Sequence, residues 1–361
     1  MVRTTFLLVL STAFATVSGH NIAALKRAGG HSKRAAPLRQ NVEERSSTES
    51  FTQGRITWHR HPDGENYPTD WSIAPASSNK PAWVAALNAA ISEGKIPNIP
   101  PSKLDKNGSP YYPKGTPDPC NWSLTTCQGK NDIYFAPDGH VGVQFDDGPT
   151  PASPELTSFL GQNHIGATHF MIGSNIFDYP QNFDAIFKTS GQHIAVHTWS
   201  HNMCTTLSNE VVLAELAWTI QIIYNRSGKI PLWWRAPYGD LDNRVRAIAT
   251  EVLGMTAVNW NYDSNDWCME DNGTSDCAGE YPGATQASIN QYIDKTLAKK
   301  SKSPGVIMLE HELTKYSVGA FIKHTWPGIN NNGWKHASIP NLYKRPWYAN
   351  SFNNTTPNVS S

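Results

Sequence analysis

Two of the thirteen histidines in this 361-residue chain, His197 and His201, stand four residues apart. That spacing can bring two imidazoles onto one divalent ion, but His193 and His197 repeat it, so spacing alone decides nothing. Asp147 offers a third ligand; it is the second carboxylate of an Asp146-Asp147 pair that precedes Gly148-Pro149. Two imidazoles and one carboxylate leave a coordination position open for water, the arrangement used for hydrolysis. The turn after the pair can aim one carboxylate at a metal and leave the other free as a base. Arg235 is the cation that would keep Asp146 ionised and oriented. His311, between Glu310 and Glu312, can carry a proton at neutral pH and give it to a leaving group; Asp266 would raise its pKa, and Trp267 would wall the pocket. Each piece also has a plain structural reading: an Asp-rich turn, a surface arginine, a hydrogen-bonded core histidine.

All of these groups follow short apolar runs. The runs are Val141–Phe145, Ile194–Val196, Pro231–Trp234, Thr256–Trp260 and Gly305–Leu309. Between them lie amphipathic stretches with helix signals. Ser153 stands as a cap before Pro154 and Glu155; Ser208 or Asn209 opens a run through Leu213, Leu216, Ile220 and Ile223; a third stretch goes from Asp242 to Leu253, with Gly254 as its stop. Strands alternating with helices predict a parallel sheet with crossover helices, and reactive groups at the C-terminal ends of strands are what a parallel α/β barrel gathers on one rim. This catalytic domain spans 137–345. Residues 51–136, rich in Pro, Trp and Asn with one helical pattern over Ala82–Ser92, are expected to wrap it as a flank, and 346–361 to form a polar tail.

Arg3, an apolar run from Phe6 to Val17 and then Ser18-Gly19 have the layout of a cleaved secretory signal over 1–19. Residues 20–50 carry Lys26-Arg27 and Lys33-Arg34 and no apolar period, as a disordered or pro-segment does. No later stretch has the roughly 18 apolar residues of a membrane helix. A secreted, monomeric protein of the extracellular space or cell wall is expected. In that oxidising setting Cys120 with Cys127, and Cys268 with Cys277, are candidate disulfides, leaving Cys204 as a buried thiol. Glycosylation sequons stand at Asn107, Asn121, Asn225, Asn272, Asn353, Asn354 and Asn358. Thirty basic against thirty acidic residues give no footing for nucleic acid or an anionic membrane, so the partner should be uncharged. Thirteen Trp, thirteen Tyr and twelve Phe suit a sugar-binding groove, although core packing accounts for most of them.

Five strand ends read in order, F-D-D-G-P at 145–149, H-T-W-S-H at 197–201, R-A-P-Y-G at 235–239, D-S-N-D-W at 263–267 and L-E-H at 309–311, resemble the polysaccharide deacetylase family. This is carbohydrate esterase family 4, with the NodB homology domain, and the likeness is strongest to its fungal chitin deacetylases. The resemblance implies a distorted (β/α) barrel with an irregular N-terminal flank. It implies a divalent metal on Asp147, His197 and His201, usually zinc, with cobalt or nickel acceptable to the same ligands. Asp146 would be the base for the metal's water and the backbone N–H of Tyr238 would help hold the oxyanion. His311 would be the acid. Arg235 would orient Asp146, Asp266 would tune His311, and Leu309 with Trp267 would enclose the acetyl methyl. Gln144 departs from the Thr or Ser common before the F-D-D run, and Glu312 stands where Asp is frequent. The implied substrate is the N-acetylglucosamine of chitin, chitosan or their oligomers, in cell-wall remodelling. O-deacetylation of a polysaccharide such as xylan uses the same water chemistry. A chitin-binding wall protein with a vestigial barrel is the non-enzymatic alternative, which the retained Asp146 and His311 argue against, since binding needs neither.

Overall fold

A computed structural model of the chain describes residues 49–69, 71–269 and 284–355. The expected signal, the segment up to residue 48, Cys277, Asn272 and Asn358 lie outside them. In the flank, β1 (Ser50–Gln53) pairs antiparallel with β2 (Ile56–His59), and β3 (Lys103–Leu104) with β4 (Pro110–Tyr111). The strands that follow are β5 (His140–Gly142), β6 (Gln144–Gly148), β7 (Ala167–Met171), β8 (Gln192–Val196), β9 (Trp233–Trp234), β10 (Thr256–Ala257), β11 (Tyr262–Asp263), β12 (Val306–Leu309) and β13 (Lys335–Ala337). Every residue of β6, β7 and β8 is buried, the burial on both faces that a parallel sheet covered by helices imposes.

Two parallel sheets, ordered β10-β9-β8-β7-β6 and β11-β12-β5-β13, bend toward each other. The chain runs straight from β10 into β11, and on the other side Asp146 of β6 bridges His311 just beyond β12. There Asp146 N–H donates to Glu310 O at 2.9 Å and Glu312 N–H to Asp146 O at 3.0 Å. This irregular closure is the distorted barrel that the motifs imply, and it sets the F-D-D and L-E-H ends side by side.

The expected strand over 141–145 is divided between the two sheets. Val143 is the hinge, its N–H bonded to Ala337 O and its carbonyl to Thr168 N–H. Strands β7 and β13 were not expected at all. Helix α1 (Pro81–Ser92) and the short α2 (Trp122–Thr125) belong to the flank. Helix α3 (Ser153–Gln162) is not capped by Ser153, which is its first residue; that hydroxyl accepts from Thr150 N–H and donates to Glu312. After α4 (Gly173–Asp178) and α5 (Pro180–Lys188), α6 (Asn209–Ser227) starts at the cap Ser208 as expected. It is buried almost all round, from Val212 to Asn225, because the flank packs Trp83 and Tyr67 edge-on against Trp218 on its outer side. Asp242 caps α7 (Asn243–Ala247), which continues as a π turn over Ile248–Val252 to Gly254.

Residues 346–355 do not hang free. Trp347 and Tyr348 are buried, and the Tyr348 hydroxyl accepts from Ile194 N–H at 3.1 Å. Cys120 and Cys127 form a disulfide, and Cys204 is a buried free thiol. Two sequons are corrected: Asn121 and Asn225 are each 2% exposed, with their amides bonded to Asp240 and Tyr112 in one case and Tyr67 in the other, which leaves no room for a glycan. Asn354 donates to Phe187 O and Gln192 O, while Asn107 lies exposed at a turn. Among the described residues no helix is long and apolar enough to cross a membrane.

Candidate active site

Successive side chains on a strand point to opposite faces, so an Asp-Asp pair should not share one cleft. Here it does, because the register of β6 against β7 shifts between Asp146 and Gly148, and Asp147, the bulged residue, takes a left-handed φ of +69°. Both carboxylates line one cleft at the C-terminal rim of the barrel. Thr198 (+65°), His201 (+56°), Tyr238 (+59°) and Asn265 (+58°) share this conformation, so four of the five motif runs contain a left-handed residue.

Asp147 Oδ1 lies 3.3 Å from His197 Nε2 and 3.1 Å from His201 Nε2, and one ligand atom from each residue falls within 4.8 Å of the others. His197 follows β8, and its Nδ1 sits 2.8 Å from Arg235 O. A carbonyl only accepts, so Nδ1 carries the proton and Nε2 keeps its lone pair toward Asp147. His201 Nδ1 is 3.2 Å from the Tyr238 hydroxyl. Asp147 Oδ1 is buried without a hydrogen bond. Ligand atoms about 2.0 Å from a tetrahedral ion stand roughly 3.3 Å apart, so these contacts and this donor set fit a divalent cation such as zinc.

Arg235, at the end of β9, is no surface charge: it is fully buried. Its Nη1 donates to Asp146 Oδ1 at 2.6 Å and to Gln144 Oε1, its Nε to Val258 O, and its Nη2 to Asn259 O. Gln144 in turn donates to Met308 O, so the residue that departs from the family pattern ties β6 to β12 and helps hold the guanidinium. Asp146 Oδ2 is 3.6 Å from His197 Nε2.

Across the cleft, His311 Nδ1 meets Asp266 Oδ1 at 2.6 Å. Burial works against a charged ring, but the Asp266 carboxylate and its hydrogen bond outweigh it and carry the His311 pKa up to about 10. Leu309, Trp267 and Tyr238 complete the walls. Glu310 turns away to Thr325.

Three contributors were not found from sequence. Glu215 of α6 accepts from Trp199 N–H, Ser200 N–H and the Ser200 hydroxyl, and so shapes the turn between the two histidines. Glu312, 0% exposed, bonds His169 at 2.9 Å and Ser153 at 2.6 Å beneath the Asp146-Asp147 turn. Trp260 lines the cleft; its place beyond the end of β10 was the one available signal.

A family model described as polysaccharide deacetylase matches residues 136–258. Chitin deacetylase 3 of Cryptococcus neoformans var. neoformans serotype D is 40% identical over 293 residues, 79% of this chain and 67% of that protein. The chitin deacetylase of Amylomyces rouxii is 35% identical over 263 residues, 70% of this chain and 60% of that protein. The chain thus spans about two thirds of the length of these relatives. Among solved structures, the chitin deacetylase of Colletotrichum lindemuthianum superposes with a TM-score of 0.51 at 21% identity, over 60% of this chain and 94% of that one, a likeness of fold. With the motifs on one rim and relatives of this similarity, the chain belongs to the polysaccharide deacetylase family and is a hydrolase of that class.

Proposed function

We propose that the chain is a secreted, metal-dependent chitin deacetylase that hydrolyses the N-acetyl group of N-acetylglucosamine units in chitin or partly acetylated chitosan. The observation that carries this is the meeting of Asp147, His197 and His201 in one cleft that Asp146 and His311 also line. A divalent cation held by those three side chains, zinc first and cobalt or nickel as substitutes, supplies Lewis acidity to the attacking water and to the acetyl oxygen.

The protein's own groups do the rest. Asp146, oriented by its ion pair with Arg235, takes a proton from the water that attacks the acetamide carbon. The backbone N–H of Tyr238 is assigned to the developing oxyanion. His311, kept protonated by Asp266, gives its proton to the departing amine, and acetate is released. Leu309 and Trp267 enclose the methyl group.

Chitin is favoured by relatives at 35–40% identity that bear the name chitin deacetylase, and by the apolar cleft walls. Export rests on the signal layout at 1–19 and the disulfide in the flank. Acetate release from N-acetylglucosamine oligomers should vanish with a chelator and return with zinc or cobalt. Inertness toward every such oligomer, with turnover of acetylated xylan, would overturn the substrate.

A further inference from the structure

Trp122 comes from outside the stretch that the family model matches, yet it packs behind Trp260, a wall of the cleft. It sits in α2, inside the Cys120–Cys127 disulfide loop, and is 2% exposed. Its ring lies edge-on to Trp260, centroids 4.4 Å apart. A Cβ on Gly239 would fall 2.2 Å from the Trp122 ring, so only glycine lets that ring sit under the turn that carries Tyr238.

The loop is anchored from several sides. Trp122 N–H donates to Leu241 O at 2.9 Å. Asn121 and Ser123 both donate to Asp240 Oδ1, at 3.2 Å each, and Asp240 also accepts from Thr205, four residues past His201. Arg246 draws the two ends together, donating to Cys120 O at 2.6 Å and Cys127 O at 2.7 Å. On its other side Trp260 faces the Arg235 guanidinium, 5.4 Å from the ring centroid. Trp260 is therefore gripped between a charge of the catalytic domain and a ring of the flank.

We propose that Trp122 is a positioning residue for substrate: by fixing Trp260 it holds the aromatic wall against which the N-acetylhexosamine packs. This rests on the deacetylase reading above. Asp146, His197 and His311 are held by their own bonds to Arg235 and Asp266, none of which passes through Trp122. The Tyr238 turn rests on the same ring, so loosening the wall should weaken sugar binding more than it slows the chemical step.

The test is steady-state acetate release from an N-acetylglucosamine tetramer by the full zinc-loaded chain. Trp122→Leu should raise KM about three- to tenfold, lower kcat by a smaller factor than KM rises and leave its pH profile in place, while Trp122→Phe returns KM to within about twofold of the parent. Should Trp122→Leu fail to fold, the paired Cys120→Ser, Cys127→Ser variant, which keeps the ring but unties its loop, is read by the same KM criterion. An unchanged KM, or a fall in kcat at unchanged KM, overturns the inference while leaving the deacetylase reading intact. A parent chain inert on the tetramer overturns both.

Discussion

One carboxylate, Asp266, fixes both ring and backbone of His311: Oδ1 meets Nδ1 at 2.6 Å and Oδ2 receives the His311 N–H at 2.8 Å. The ring must be protonated to serve as an acid, and this carboxylate is what lifts its pKa to about 10. Asp266→Asn should therefore move the alkaline limb of kcat/KM to lower pH by about one to two units. An unmoved limb would remove His311 as the acid. The pair also stabilises the fold. Because the folded pKa lies above the free histidine value of about 6.5, its contribution is complete below about pH 6.5 and is lost as pH rises toward 10. Melting curves taken across that range should show the loss in the parent and not in the variant.

Asp146 is bound to Arg235 but is no member of the three-ligand cluster. Asp146→Asn should lower kcat about 10²- to 10⁴-fold while zinc content stays at one ion per chain. Full activity in this variant would end its assignment as base.

His201 is the least buried of the three proposed ligands. His201→Ala should strip zinc from the purified chain, measured by atomic absorption, and raise the zinc dissociation constant at least about tenfold. Stoichiometric zinc in the variant would put the ion elsewhere.

Beneath the Asp146-Asp147 turn, Glu312 and His169 form a pair closed to water on both sides. Glu312→Ala leaves the buried His169 imidazole with Gln192 alone and should cost about 3 kcal/mol in denaturant unfolding. A Cβ on Gly148 would land 2.0 Å from Glu312 Oε1, so Gly148→Ala should break the same pair from above. The double variant should then cost little more than the worse single one. Simple additivity would show that the two positions do not share this contact.

The site was legible in the sequence because its residues stand at the ends of apolar runs in a fixed order. The fold was less so, for a reason visible in β7. Thr168 and His169 interrupt its apolar pattern, and both are buried because partners far along the chain satisfy them: Ile339 N–H donates to Thr168, and Glu312 and Gln192 hold His169. A strand whose polar groups are matched from 23 to 171 residues away carries no local sign of itself. The split between β5 and β6 was hidden likewise, since Val143 at the hinge is as apolar as Val141 and Phe145 two residues to either side. The burial of α6 all round depends on Trp83 and Tyr67 arriving from the flank, which no period within the helix records.

The left-handed backbone at Asp147, Thr198, His201, Tyr238 and Asn265 has a cost for durability. Each such non-glycine residue gives up on the order of 1 kcal/mol that a relaxed turn would keep. Glycine at Thr198 or Asn265 would recover some of it and let the chain survive hotter conditions, while the side chains beside them lost their aim. Thermotolerant versions of this enzyme should accordingly be sought in the outer helices and the flank, with the rim of the barrel left as it is.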